Sequence, residues 1–240
     1  VKAFTLVELL VTLTVVGLLT CLCLPGLNNA IQNGRKAKEI SALKGLVIAY
    51  NLYAADNGGQ LLKSYDASGT ATDINGRVLE GEDSHEAHRW PWRLAPYFNY
   101  GFYTTTHVNS METYIKNKGG LSQTYLVSVI PSFGLSMSCG GNDYEGSKYK
   151  VSPASNIVQV AKPSQFIAFA SSRSTAMNEK FEGFYYILKP SISVWDSRSA
   201  PRSTGYISAR YNKQAAVAFL GGNVSMINFS ELTNSVYWDK

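Results

Sequence analysis

Three cysteines in 240 residues are too few for a disulfide scaffold, and histidine is equally scarce, at three. No C-x-x-C pair, G-x-S-x-G elbow, P-loop or G-x-G-x-x-G string occurs, so no zinc ribbon, nucleophile turn or phosphate cradle is written into the chain. The expectation is a protein that is not an enzyme. Charged residues make up only 16% of the chain, and the 22 basic against 17 acidic side chains give a net +5 that is spread thinly; nothing in it calls for nucleic acid. Neither internal repeats nor a low-complexity linker break the sequence. The 45% hydrophobic content would describe one average globular domain, but it is unevenly placed. Residues 4–24 are an apolar run whose only charge is Glu8, and the rest is polar, glycine-rich and strongly aromatic, with most of the 15 Tyr, 10 Phe and 4 Trp.

A helix over residues 4–24 would be about 31 Å long, enough for the roughly 30 Å hydrocarbon core of a bilayer. A carboxylate in such a run costs on the order of 2.5–3.5 kcal/mol at mid-membrane and less near the interface, so Glu8 points to function rather than to a plain signal core. A cleaved secretory signal would need a small-x-small site after the core, and Leu24-Pro25-Gly26-Leu27 offers none. A lipoprotein signal fits no better: Cys21 follows Leu18-Leu19-Thr20 and Cys23 follows Thr20-Cys21-Leu22. What is left is a retained helix that does more than anchor.

The string Lys2-Ala3-Phe4-Thr5-Leu6-Val7-Glu8-Leu9-Leu10 resembles the processing and methylation site of type IV prepilins and type II secretion pseudopilins. The resemblance implies cleavage between Ala3 and Phe4 by a prepilin peptidase, N-methylation of Phe4, an assembly role for Glu8 and a helix bend at Pro25; Ala3 stands where the family usually has Gly. Residues 1–3 would be a residual leader. A free Phe4 amine buried among packed helices is costly alone, as is a buried carboxylate. Pairing it with the Glu8 carboxylate of a neighbouring subunit cancels most of that cost and fixes the stagger between subunits. The partners implied are further copies of the chain, other pseudopilins, the peptidase and an inner-membrane assembly platform. The precursor would cross the inner membrane once with its head in the periplasm, and the filament would lie in the periplasm or at the cell surface. The competing reading is a single-span, membrane-anchored periplasmic binding module that never polymerises.

Beyond Pro25-Gly26 the pattern turns amphipathic. Ile40, Leu43, Val47, Tyr50 and Ala54 recur at spacings of three and four, with Arg35, Lys36, Lys38, Glu39 and Lys44 on other faces. Asp56-Asn57-Gly58-Gly59 should close the helix, because Asn and Gly tolerate the left-handed conformation. This predicts an α+β fold: a long N-terminal helix over 4–57, transmembrane in its first half and amphipathic in its second, packed against an antiparallel β-sheet head over 58–240. Strands are expected at 124–130, 157–160, 166–170, 184–189, 215–220 and 224–229, with Gly221-Gly222-Asn223 turning the last hairpin. Within the head, Trp90-Pro91-Trp92-Arg93-Leu94-Ala95-Pro96-Tyr97 resembles the "LAPY" segment of long-headed pseudopilin-like proteins of planctomycete and verrucomicrobial lineages. Ser132-Phe133-Gly134-Leu135 resembles their "SYGxN" turn. Their closing His, nine residues, Asp-Gly pattern persists only in spacing, as Tyr211 and Gly221-Gly222.

Gly81-Glu82-Asp83-Ser84-His85-Glu86-Ala87-His88 is the densest ligand-like string; His85 and His88, three apart, suit one metal on a helical turn, but with no third ligand at motif spacing a solvated loop is the favoured reading. Asp143 and Glu145, in Gly140-Gly141-Asn142-Asp143-Tyr144-Glu145-Gly146, offer oxygens for calcium, which some major pseudopilins bind, yet lack an EF-hand's alternating acids and read better as a turn. No cofactor is expected, calcium being the one left open. Trp90, Trp92, Tyr97, Phe98, Tyr100, Phe102 and Tyr103, flanked by Arg89 and Arg93, suit stacking on a ligand, although core packing along an extended Trp-x-Trp face is the simpler reading. Cys139 is expected to be buried.

Overall fold

A computed structural model describes residues 4–79, 84–117, 121–149, 151–175 and 182–240; the side chains of 22–26, 84, 121, 122, 146 and 147 also lie outside the description, as do Ala3 and the bend expected at Pro25. The chain forms two units, residues 1–37 and 38–240. Helix α1 (Leu6–Asp56) supplies nearly all of the first and opens the second. In the first unit the large apolar side chains stand in the open, Leu6 at 80% exposure and Leu13 at 63%. Among the described residues no helix is long and apolar enough to cross a membrane.

In the second unit α1 is the spine of the head. Leu43, Leu46, Val47 and Tyr50 are fully buried along one stripe, and α1 closes as its sequence requires. Gly58 takes φ +62° and Gly59 N–H reaches back to Ala54 O at 2.7 Å, satisfying a carbonyl that the helix end would leave bare. Glu39 departs from expectation. Sequence reading put it on the polar face, but it is 1% exposed, because positions 39, 43, 46, 50 and 54 share one helical face.

The stripe packs on a five-stranded sheet of order β3-β1-β2-β4-β5, formed by β1 (Phe133–Ser136), β2 (Ile167–Ser171), β3 (Tyr186–Ile187), β4 (Gln214–Phe219) and β5 (Val224–Asn228). The sheet is mixed, not antiparallel throughout: β1 and β3 run parallel, while the other pairs are antiparallel. Along β4 the side chains alternate, Ala216 and Ala218 joining the α1 core while Ala215, Val217 and Phe219 join a core on the other face with Phe229, Leu232 and Trp238. Both faces are covered, so β2 and β4 read as apolar runs. The final hairpin forms as expected, with Gly222 at φ +90° in its turn.

Four expected elements are corrected. Of residues 124–130, 124–129 are helical, within α6 (Leu121–Val129), because this segment closes a separate helical core with Trp92, Phe102 and Ile115 rather than joining the sheet. Residues 157–160 form a short 3-10 turn, Ile157–Gln159, closed by a capping box between Asn156 and Gln159 that the β-branched residues masked. The segment read as a turn at 132–135 is instead strand β1, between β2 and β3. Trp90 and Trp92 lie on a helix, α3 (Trp90–Leu94), not on an extended segment. Helices α2 (Ser84–Ala87), α4 (Phe102–Thr105), α5 (Ser110–Lys116) and α7 (Gly146–Tyr149) complete the head.

The α1 stripe sets the head's stability. Leu46→Ala is expected to lower the unfolding free energy by about 2–5 kcal/mol by leaving a cavity, whereas Leu52→Ala, farther along the same helix and 51% exposed, should stay within about 0.5 kcal/mol. Urea unfolding followed by tryptophan fluorescence measures both.

Candidate functional site

The α1 N-terminus holds the residues singled out for assembly. Thr5 N–H and Thr5 Oγ1 both donate to Glu8 Oε2, at 2.9 and 2.8 Å, and Glu8 N–H donates back to Thr5 Oγ1 at 3.2 Å. This is a capping box, in which the N-cap hydroxyl and the carboxylate three residues on satisfy each other's backbone donors. The signal, Thr-x-x-Glu before an apolar run, was present in the sequence beside the prepilin-like string. Phe4 is 72% exposed next to it. Glu8 therefore has a local role in a single chain, and it remains solvent-facing, free to exchange Thr5 for another donor.

Glu39 is the counterpart inside the head. Its carboxylate receives hydrogen bonds from Ser171 Oγ at 2.7 Å, Tyr211 OH at 2.8 Å and Asn109 Nδ2 at 3.2 Å, and Arg210 Nε lies 3.1 Å away. Three hydrogen-bond donors and one guanidinium, from β2, the loop before α5 and the segment leading into β4, meet on one helix side chain. Burial, with the adjacent carboxylate second, holds the Tyr211 phenol well above its usual pKa. Tyr211, in the segment leading into β4, thus ties α1 to the sheet.

The weak metal candidates come near one another without forming a cluster. His85 and His88 rings lie edge to face with centroids 5.8 Å apart, and His88 Nδ1 is 3.0 Å from Tyr65 OH. Burial, then the His85 imidazole, lowers the His88 pKa. Tyr65 also packs on Tyr144, so the two loops share one tyrosine. Asp143 Oδ2 is engaged by Lys63 Nζ at 3.0 Å and Ala67 N–H at 3.1 Å, and Glu145 by Lys148 Nζ at 3.1 Å. The oxygens a calcium ion would take thus face lysine ammoniums. Among the described residues no group of three His, Cys, Asp or Glu side chains is placed to hold a metal; 81–83 lie outside them.

The aromatic stretch divides between two cores. Trp90 is fully buried against Phe169 and donates Nε1–H to Tyr185 O at 2.6 Å. Trp92 instead packs edge to face on Phe102 with centroids 4.7 Å apart. The flanking guanidiniums are committed internally: Arg89 sits between the Tyr125 and Tyr185 rings, and Arg93 pairs with Asp66 and donates to Lys63 O. Cys139 is buried with Sγ 3.6 Å from Ile167 O, and burial pushes its thiol pKa up, which removes nucleophilic character.

No family model, curated protein or solved structure matches the chain.

His107 makes a pH test of the head. It is fully buried, with Nδ1 2.8 Å from Thr106 Oγ1, and burial pushes its pKa down to about 3. Between that value and the unfolded-state value near 6.5 the unfolded chain binds the extra proton, so stability is full above pH 6.5 and falls as pH drops below it, by about 1.4 kcal/mol per unit. Urea unfolding at pH 7, 6 and 5 should show this slope, and His107→Gln should lower it by one proton's worth.

Proposed function

We propose that the chain is a type IV pilin-like or pseudopilin subunit, cleaved between Ala3 and Phe4, methylated at Phe4 and assembled helix to helix into a filament of a type II secretion or type IV pilus-like machine. The supporting observation is Phe4 and Glu8, four residues apart, at the head of a helix whose apolar side chains are exposed from Phe4 to Leu19. Monomeric soluble proteins rarely expose a contiguous apolar surface of that extent, and a filament core or a bilayer covers it. Before assembly, residues 4–24 cross the inner membrane once and the head faces the periplasm. The prepilin peptidase, an inner-membrane assembly platform and other pseudopilins are its partners. A membrane-anchored module that never polymerises needs the same helix, but gives Glu8 no work beyond the cap.

The capping box sharpens the test of Glu8. Glutamine preserves a capping box and removes the charge, whereas alanine removes both. Glu8→Ala should insert and be processed yet fail to assemble, and Glu8→Gln should fail as well, because the Phe4 amine of the next subunit is left without a counter-charge. Filaments of normal abundance from Glu8→Gln, scored by shearing and immunoblot, would reduce Glu8 to a helix cap.

A further inference from the structure

Between the 73–78 turn and the aromatic stretch lies a cavity of about 210 Å³ that the filament reading does not use. Its walls are Trp92, Tyr100, Phe102 and Tyr103, with Asp73 and Gln123 also on the lining. The rings stand as a box rather than a stack: Phe102 meets Trp92 at 63° and Tyr100 at 69°. Trp92 and Phe102 form the buried floor, at 9% and 8% exposure, and Tyr100 and Tyr103 are half-buried at the rim. The ring nitrogen of Trp92 is satisfied within the chain, donating to Thr124 O at 3.0 Å.

The lining carries one ionised group, the Asp73 carboxylate, and no lysine or arginine. Asp73 Oδ1 accepts the Asn75 and Arg77 backbone N–H groups, both at 2.9 Å, which fixes the carboxylate in the turn and leaves Oδ2 with Arg77 Nε at 3.5 Å. The Arg77 side chain is 63% exposed at that contact, where solvent makes such a pair weak and exchangeable.

We propose that this cavity binds a small quaternary ammonium group, of the trimethylammonium type carried by choline. Four aromatic side chains line the cavity, and the Asp73 carboxylate on the same lining adds negative charge, a combination that attracts a cation desolvated among rings. An anion is repelled by every one of these groups. A primary ammonium brings three N–H donors that aromatic walls cannot satisfy, whereas a quaternary nitrogen has none and surrenders little hydration on entry. The volume is below the 300–1,000 Å³ or so of pockets for drug-sized ligands and fits a compact headgroup. The proposal is independent of filament assembly.

The test is a calorimetric titration of the full chain, in a detergent without choline headgroups, with choline chloride and with its uncharged isostere 3,3-dimethylbutan-1-ol. Choline should bind saturably and the alcohol at least about tenfold more weakly. Asp73→Asn, which keeps the Oδ1 acceptor of the turn, should weaken choline about tenfold and leave the alcohol unchanged, and Tyr103→Leu should also weaken choline. Circular dichroism verifies that both variants are folded. Glycerophosphocholine binding as tightly as choline assigns the site to a lipid headgroup, and choline alone assigns it to the free cation. Equal binding of choline and the alcohol, no saturable choline binding, or choline affinity unchanged in both folded variants would each overturn the proposal.

Discussion

One buried carboxylate governs how the head is put together. The apolar stripe of α1 supplies most of the contact with the sheet, but apolar contact has no direction, and a smooth helix face can slide or turn on a surface of alanines such as Ala216 and Ala218. Glu39 removes that freedom. Its oxygens accept hydrogen bonds from Ser171, Tyr211 and Asn109 and face the Arg210 guanidinium, from three separate segments in all, and directed hydrogen bonds hold in one register only. The charge is tolerable in the core because each donor offsets part of its desolvation.

The same helix carries a second carboxylate whose neighbours are of another kind. Among the described residues Glu8 shares its side-chain hydrogen bonds with Thr5, and it lies on a surface of exposed leucines and valines. Glu39 fixes the helix against its own head through donors that the chain provides. Glu8, on the proposed reading, fixes it against another copy through a donor that only cleavage creates, the amine of Phe4. On that reading α1 applies one device, a charge set in an apolar face, both to folding and to assembly.

Legibility in the sequence followed the range of the signal. Local signals worked: the apolar stripe of α1, its Gly58-Gly59 stop and the Gly221-Gly222-Asn223 hairpin all rest on residues close in the chain. Residues 124–130 and 157–160 misled because β-branched and aromatic residues suit a buried strand and a buried helical face equally well, and only the third dimension decides between them. β1 was missed for its brevity, since four residues ending in serine carry no period. Glu39 was legible, because its spacing to Leu43, Leu46 and Tyr50 puts it on the buried face, but a charged residue type outweighed its position. The box around Asp73 was not legible: the sequence brought Trp92, Tyr100, Phe102 and Tyr103 to notice, while the turn that supplies the carboxylate lies about twenty residues earlier and meets them only after folding.

The central claim, that this helix is made to be cut and paired, is tested most directly by the intact mass of the chain purified from membranes of cells that contain a prepilin peptidase. The account predicts a species that begins at Phe4 and carries one added methyl group. A chain that keeps its residues before Phe4, unmethylated, in the presence of an active peptidase would contradict it.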